Sequence, residues 1–270
     1  MSFVALTSMR YKCRVKHYRI VLSFALLCLA HLPAFAVDDP ELDKILQKHV
    51  EAMGGWKNWN QVESIRLAGT IKRDGQSVDF VIVKKRPDQI RATITLPIPG
   101  NEEEKVQVIR AHDGKEAWTA TRLAGAQEIE KELLDPAASR DLLADAGVLP
   151  KLIDLWQSGA ELELMEPKTT KGEACFVIQA KMDGGKQEFL FELSANTFEL
   201  RRYVTIIDGS KSSTSELSEY QSIDGIRLPT HCLIHSKKTG ESSMRTESVE
   251  LGVGIYEDYF HGRSEYTFNK

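Results

Sequence analysis

Between residues 42 and 53 the apolar positions recur at helical spacing. Leu42, Ile45, Leu46, His49, Val50 and Met53 fall at i, i+3, i+4, i+7, i+8 and i+11, which is one continuous stripe. Asp39 is placed to cap this helix, Pro40 suits its first position, and Glu41 and Asp43 favour the positive end of its dipole. Gly54-Gly55 stops it. So narrow an apolar face has to be buried against something else, and a sheet is the expected partner.

After Trp56 and Trp59 the period changes to two. Ile65, Leu67 and Ile71 alternate with Arg66, Ala68 and Thr70, and Asp74-Gly75 then marks a hairpin into a second strand over 78–85. Pro87 bends the chain, and strands are predicted over 89–96, 104–111 and 115–122, the last two joined at Asp113-Gly114. From 161 onward the pattern gives seven more strands, over 161–166, 174–181, 186–193, 199–207, 214–222, 227–237 and 242–251. Their turns are Asp183-Gly184-Gly185, Ser194 to Thr197, Asp208-Gly209, Asp224-Gly225 and Thr239-Gly240. Turns this short force antiparallel neighbours, because parallel pairing needs a long crossover.

Two helical pieces interrupt the strands. Asp135-Pro136 opens the first, with Leu142, Leu143 and Ala146 on one side and Gly147 at its end. Pro150 opens the second, in which Leu152, Ile153, Leu155 and Trp156 are apolar. The fold class expected is mainly β with a few helices. A meander of about twelve strands curls rather than stays flat, so a curved antiparallel sheet forming a half-open barrel, with helices over its concave side, is the predicted form.

The N-terminus adds a compartment. Arg10, Lys12, Arg14, Lys16 and Arg19, an apolar run over 20–32, and Pro33-Ala34-Phe35-Ala36 read as a secretory signal peptide cleaved after Ala36. Its apolar run is shorter than the roughly 20 residues a membrane-spanning helix needs. Residues 37–270 are then one domain in the periplasm, since nothing inside them reads as a linker. Removing the five leader bases from 35 Lys+Arg leaves 30 against 39 Asp+Glu, a net of −9. That surface argues against nucleic acid as a partner. Cys175 and Cys232 remain after the leader, each in a predicted strand, and both a cross-strand bridge and two free thiols stay open.

Several motifs resemble the LolA/LolB-like periplasmic lipoprotein carriers. Val83-Lys84-Lys85-Arg86-Pro87 resembles their V-K-R-P, and Asp113-Gly114-Lys115 with Trp118 their D-G-K-x-x-W. The segments 49–55 and 65–70, the Y-x-x-x-D-G-x-x-x-P run from Tyr220 to Pro229, and the ending from Val253 to Phe260 are also similar, in the right order. The resemblance implies a half-open barrel, a long first helix and a helical lid enclosing an apolar cavity for acyl chains. It also implies that Arg86 hydrogen-bonds the lid and so gates it.

Taken with the strand periods, this makes Phe80, Ile82, Ile90, Ile94, Trp118, Phe176, Ile178, Phe189, Phe191 and Tyr203 the candidate cavity wall. Leu142, Leu152, Leu155 and Trp156 are the candidate lid residues. For any one of these, filling a packed core is the competing role. His231-Cys232-x-x-His235 has metal-like spacing, but on a strand Cys232 points away from the two histidines, so no metal is expected there. The sequence holds no G-x-S-x-G, G-x-x-x-x-G-K, H-E-x-x-H or C-x-x-C, and no enzyme activity and no cofactor are expected. The function expected is that of a monomeric periplasmic carrier shielding lipoprotein acyl chains, or another lipid, between an inner-membrane donor and an outer-membrane acceptor. The alternative is a protein-interaction or sensor module of the same fold without lipid cargo, its cavity filled by its own side chains. A mobile helical block favours the first, and a block packed as core favours the second.

Overall fold

A computed structural model describes residues 39–126 and 129–262; the expected signal peptide, 1–36, lies outside the described residues. The first helix, α1 (Pro40–Ala52), buries the predicted stripe: Leu42, Ile45, Leu46, His49 and Val50 all face inward. Burying five such side chains stabilises the docked helix by about 1.5–3 kcal/mol for each aliphatic one. A short second helix, α2 (Gly55–Trp59), follows where the sequence suggested only a stop.

The joint between them depends on glycine. Gly54 has a φ of 110°, and a Cβ there would stand 2.3 Å from the Gly225 carbonyl oxygen. That close approach lets Asn58 Nδ2 donate to the carbonyls of both Gly54 and Gly225, at 2.7 and 2.9 Å. The Arg227 N–H donates to Met53 O at 2.9 Å. The end of α1 is thereby pinned to a turn near the far end of the chain.

Thirteen strands among the described residues form one antiparallel sheet. In chain order they are β1 (Ser64–Arg73), β2 (Gln76–Lys85), β3 (Gln89–Ile98), β4 (Asn101–His112), β5 (Ala117–Leu123) and β6 (Glu132–Leu133). After the helical block come β7 (Glu161–Thr170), β8 (Glu173–Met182), β9 (Gln187–Ser194), β10 (Leu200–Ile207), β11 (Ser210–Ile223), β12 (Ile226–Ser236) and β13 (Gly240–Leu251). Twelve of these are the predicted strands; β6 is added, and it is only two residues long.

Every strand pairs with its chain neighbour, except that the break falls in the middle rather than at the ends. The spatial order runs β6-β5-β4-β3-β2-β1-β13-β12-β11-β10-β9-β8-β7. Strand β1 pairs with β13, Ile65 opposite Leu251, while β6 and β7 are the two free edges. The sheet is curved and not closed, a half-open barrel. Edge strand β7 carries Glu161, Glu163, Glu166, Pro167 and Lys168 and is irregular between Met165 and Lys168, features that discourage further strand addition.

The chain crosses from one free edge to the other through α3 (Pro136–Leu143) and α4 (Lys151–Gln157). Asp135, where the first helical piece was expected to open, caps α3, its Oδ1 accepting from Ala137 and Ala138 N–H at 2.9 Å each. The two helices differ in depth. No residue of α3 is buried, whereas Leu152, Ile153 and Leu155 of α4 are.

The C-terminal segment straps the outer face of the first strands. Side chains donate in succession to its carbonyls: Ser64 to Val253, Lys85 to Ile255, Arg91 to Tyr259 and Trp118 to Phe260, at 2.7, 3.1, 2.8 and 3.0 Å. Val83, Ile255, Tyr259 and Phe260 pack beneath it. The described residues from Glu41 onward form one compact unit by their contacts.

Candidate functional site: an apolar cavity under the crossover

Strand alternation sorts the side chains. Phe80, Ile82 and Lys84 of β2 point one way and Val81, Val83 and Lys85 the other. The first set faces the helices. A cavity of about 170 Å³ lies on this inner face. His49 and Met53 of α1 form one wall, and Ile65, Leu67, Tyr203, Leu217, Tyr220 and Leu228 form the sheet side. The crossover loop, with Val148, Leu149, Pro150 and Lys151, forms the roof.

The roof is tied to the sheet by charge. Lys84 Nζ donates to the Gly147 carbonyl at 3.0 Å. Lys151 Nζ meets Asp145 Oδ1 at 2.6 Å; the Asp145 side chain keeps 60 % of its exposure, so this is a rim contact of modest strength. The Lys151 ammonium also lies 4.6 Å from the Phe189 ring centre. Asp154 packs against Gly147 so closely that a Cβ there would fall 2.2 Å from its carboxylate. Burial pushes the Asp154 carboxyl above the usual carboxylate range, with Lys84, Arg86 and Lys151 opposing it. Burial likewise pushes the Lys84 ammonium below the ordinary lysine value, with Asp145 working against it.

His49 contributes a polar atom without a partner. Its Nδ1 lies 2.7 Å from Phe198 O, and since a carbonyl only accepts, Nδ1 carries the proton. Nε2 is therefore the bare acceptor, and it is buried with no hydrogen-bond partner. Burial lowers the His49 pKa to about 4, the Phe198 hydrogen bond opposing, so the ring is neutral near pH 7.

The structure distributes the predicted site residues over three places. Tyr203 lines the cavity. Phe176, Ile178, Phe189 and Phe191 share its face but pack with Leu152, Leu155, Trp156 and the α1 stripe in a filled core. Phe80, Ile82, Ile90 and Ile94 lie on the inner face through the β2–β3 register, outside the cavity wall; Phe80 and Ile90 are buried, Ile82 and Ile94 half-buried. Leu142 is half-buried on α3.

Two expectations need correction. Trp118 is on the outer face: it pairs with Ala111, packs with Ile109 and Ala120, and anchors the C-terminal strap. Its period-two neighbours Ala120 and Arg122 already placed it opposite Thr119 and Thr121, but strand parity says nothing about which set is concave. Arg86 does not reach the crossover by hydrogen bond. Its Nε and Nη2 donate to Val62 O and Trp59 O at 2.9 and 3.2 Å, steadying the end of α2. Lys84, two residues earlier and on the inner face, makes the contact expected of Arg86. His49, Lys84 and Lys151 were missed as site residues, although a histidine in an apolar stripe and a lysine alternating with Phe80 and Ile82 were both visible signals.

Cys175 and Cys232 are free thiols. Cys175 lies on β8 and Cys232 on β12, with β9, β10 and β11 between them, which excludes a bridge. His231 bonds to Ser218 and Ser243, and His235 pairs with Glu241, all on the face away from Cys232.

A larger hollow of about 280 Å³ lies on the outer face, lined by Thr170, Lys171, Glu173, Arg201, Arg202 and Glu216 among others. Its charges are matched pairwise, Lys171 with Glu216 and Arg201 with Glu173 and Glu199. The charges of this groove are compensated, whereas the smaller inner cavity is lined mainly by apolar side chains.

No protein-family model matches the chain, and no curated protein matches it by sequence. Solved structures do. A LolA superfamily protein from Nitrosomonas europaea aligns over 81 % of this chain and 96 % of its own, with TM-score 0.53 and 14 % identity. The fold is LolA-like. A DUF1329 family protein from Desulfovibrio piger aligns over the same shares, with TM-score 0.52 and 14 % identity. At such identities the likeness concerns the fold alone, and the chemistry of the LolA-like cavity has to be argued from this chain's own residues.

Proposed function

We propose that the protein is a periplasmic carrier that takes acyl chains, of lipoproteins or of other lipids, into the cavity beneath the crossover and delivers them toward the outer membrane. The observation that carries this reading is the cavity itself. It has apolar walls on a LolA-like sheet, and its roof spans the open edges and is held by the Lys84–Gly147 hydrogen bond. In this closed state about 170 Å³ is below the roughly 300–1,000 Å³ of typical ligand pockets, so loading requires the roof to rise. Helix α3, which has no buried residue, has little buried surface to lose in such a movement. Transfer between an inner-membrane donor and an outer-membrane acceptor then needs no nucleotide, only an affinity intermediate between theirs.

One observation favours a second reading, a protein-interaction or sensor module with a filled interior. Leu152, Ile153 and Leu155 of α4 are packed as core, so only part of the crossover is free to act as a lid. A fluorescent acyl probe decides between the two. Saturable uptake that is lost in Leu217→Glu, with the fold retained by circular dichroism, supports the carrier. No uptake by the wild-type chain supports the interaction module.

A further inference from the structure

The cavity is not uniformly apolar. Among the described residues that line it, the charged ones are Lys84 and Lys151, both cationic, while the nearby carboxylates of Asp145 and Asp154 stay outside the wall. A third carboxylate, Asp141, acts on Lys151 and is likewise outside the wall, so the charge that lines the chamber itself is cationic. Lys84 spends one donor on Gly147 O, and an ammonium has three. A second feature is independent of charge. His49 lines the same cavity, and its Nε2 is a buried acceptor with no donor. A volume of about 170 Å³ is close to the engineered 150 Å³ cavity that holds one benzene, so the closed state admits part of one chain and not two or three.

We propose that the preferred cargo is a single-chain amphiphile with an anionic head, carboxylate or phosphate, seated on Lys84 and Lys151, and with a hydroxyl that donates to His49 Nε2. This rests on the acyl-binding reading and narrows it. The anion takes the Lys84 donors that Gly147 O leaves open.

The test is displacement of the acyl probe from the purified protein, expressed as the full chain, near pH 7.5. The competitors are decanoate, 3-hydroxydecanoate, decyl phosphate, decanol, decyltrimethylammonium and inorganic phosphate. Decanoate and decyl phosphate should bind at least tenfold more tightly than decanol or the cation, and 3-hydroxydecanoate several-fold more tightly than decanoate. Inorganic phosphate should not displace the probe; if it does so as well as decyl phosphate, the site is an anion site and the proposal falls. Lys84→Met and Lys151→Met should each abolish the preference for anions, Lys84→Arg should keep it, and His49→Phe should remove the hydroxyl advantage alone. If Lys84→Met does not fold, Lys151→Met carries the test. Equal affinity for decanol and decanoate overturns the anionic head and leaves the acyl carrier standing. Failure of both the probe and every competitor to bind overturns both.

Discussion

Lys84 Nζ donates to the Gly147 carbonyl at 3.0 Å, joining the second strand of the sheet to the loop that crosses between its open edges. A hydrogen bond to a charged group is worth about 1.5–3 kcal/mol, but this one is partly offset by burial of the ammonium. Lys84→Met should therefore change global stability little while freeing the loop. Hydrogen exchange of the amides from Val148 to Asp154 should accelerate by about tenfold, which corresponds to about 1.4 kcal/mol of lost closure. Unchanged protection there would mean that α4 packing alone holds the roof.

His49 sets a pH dependence with a definite sign. Its pKa is lowered from 6.5 to about 4 in the folded chain, so between those values the unfolded chain binds more protons. Stability from this group is complete above pH 6.5 and is lost as pH falls toward 4, a change on the order of 3 kcal/mol. Urea denaturation at pH 7 and pH 4.5 should show a smaller difference in His49→Phe than in wild type. The same difference in both would assign the acid limb to carboxylates.

Trp118 and Phe189 separate the two faces. Trp118→Phe loses the bond to Phe260 O and should expose the C-terminal strap to proteolysis while leaving acyl uptake intact. Phe189→Ala, a large-to-small change in the filled inner core, should cost about 3–5 kcal/mol. Loss of acyl uptake in Trp118→Phe, with the strap still protected, would contradict this placement.

Much of the fold was legible because it rests on local rules. Alternation and Asp-Gly turns located twelve strands, and the stripe from Leu42 to Met53 gave the helix and its buried face. The pairing of β1 with β13, which puts the opening between β6 and β7, depends on contacts across the whole chain that no local period encodes. The site was less legible for the same reason. Strand parity puts Trp118 and Thr119 on opposite faces, but only the path of the C-terminal strap decides that Trp118 is outside. Phe176, Ile178, Phe189 and Phe191 look like a cavity wall until α1 and α4 fill the space above them. The polar groups at the cavity, His49 and Lys84, stand in the sequence as breaks in apolar patterns, and only the fold brings them to one wall.

Native mass spectrometry of the protein purified from a periplasmic fraction, followed by lipid extraction, tests the carrier most directly. A carrier should show a bound mass that extracts as an acylated species and is absent from a folded Leu217→Glu variant. A bare polypeptide mass from the native source, together with no uptake of acyl probe, would contradict it.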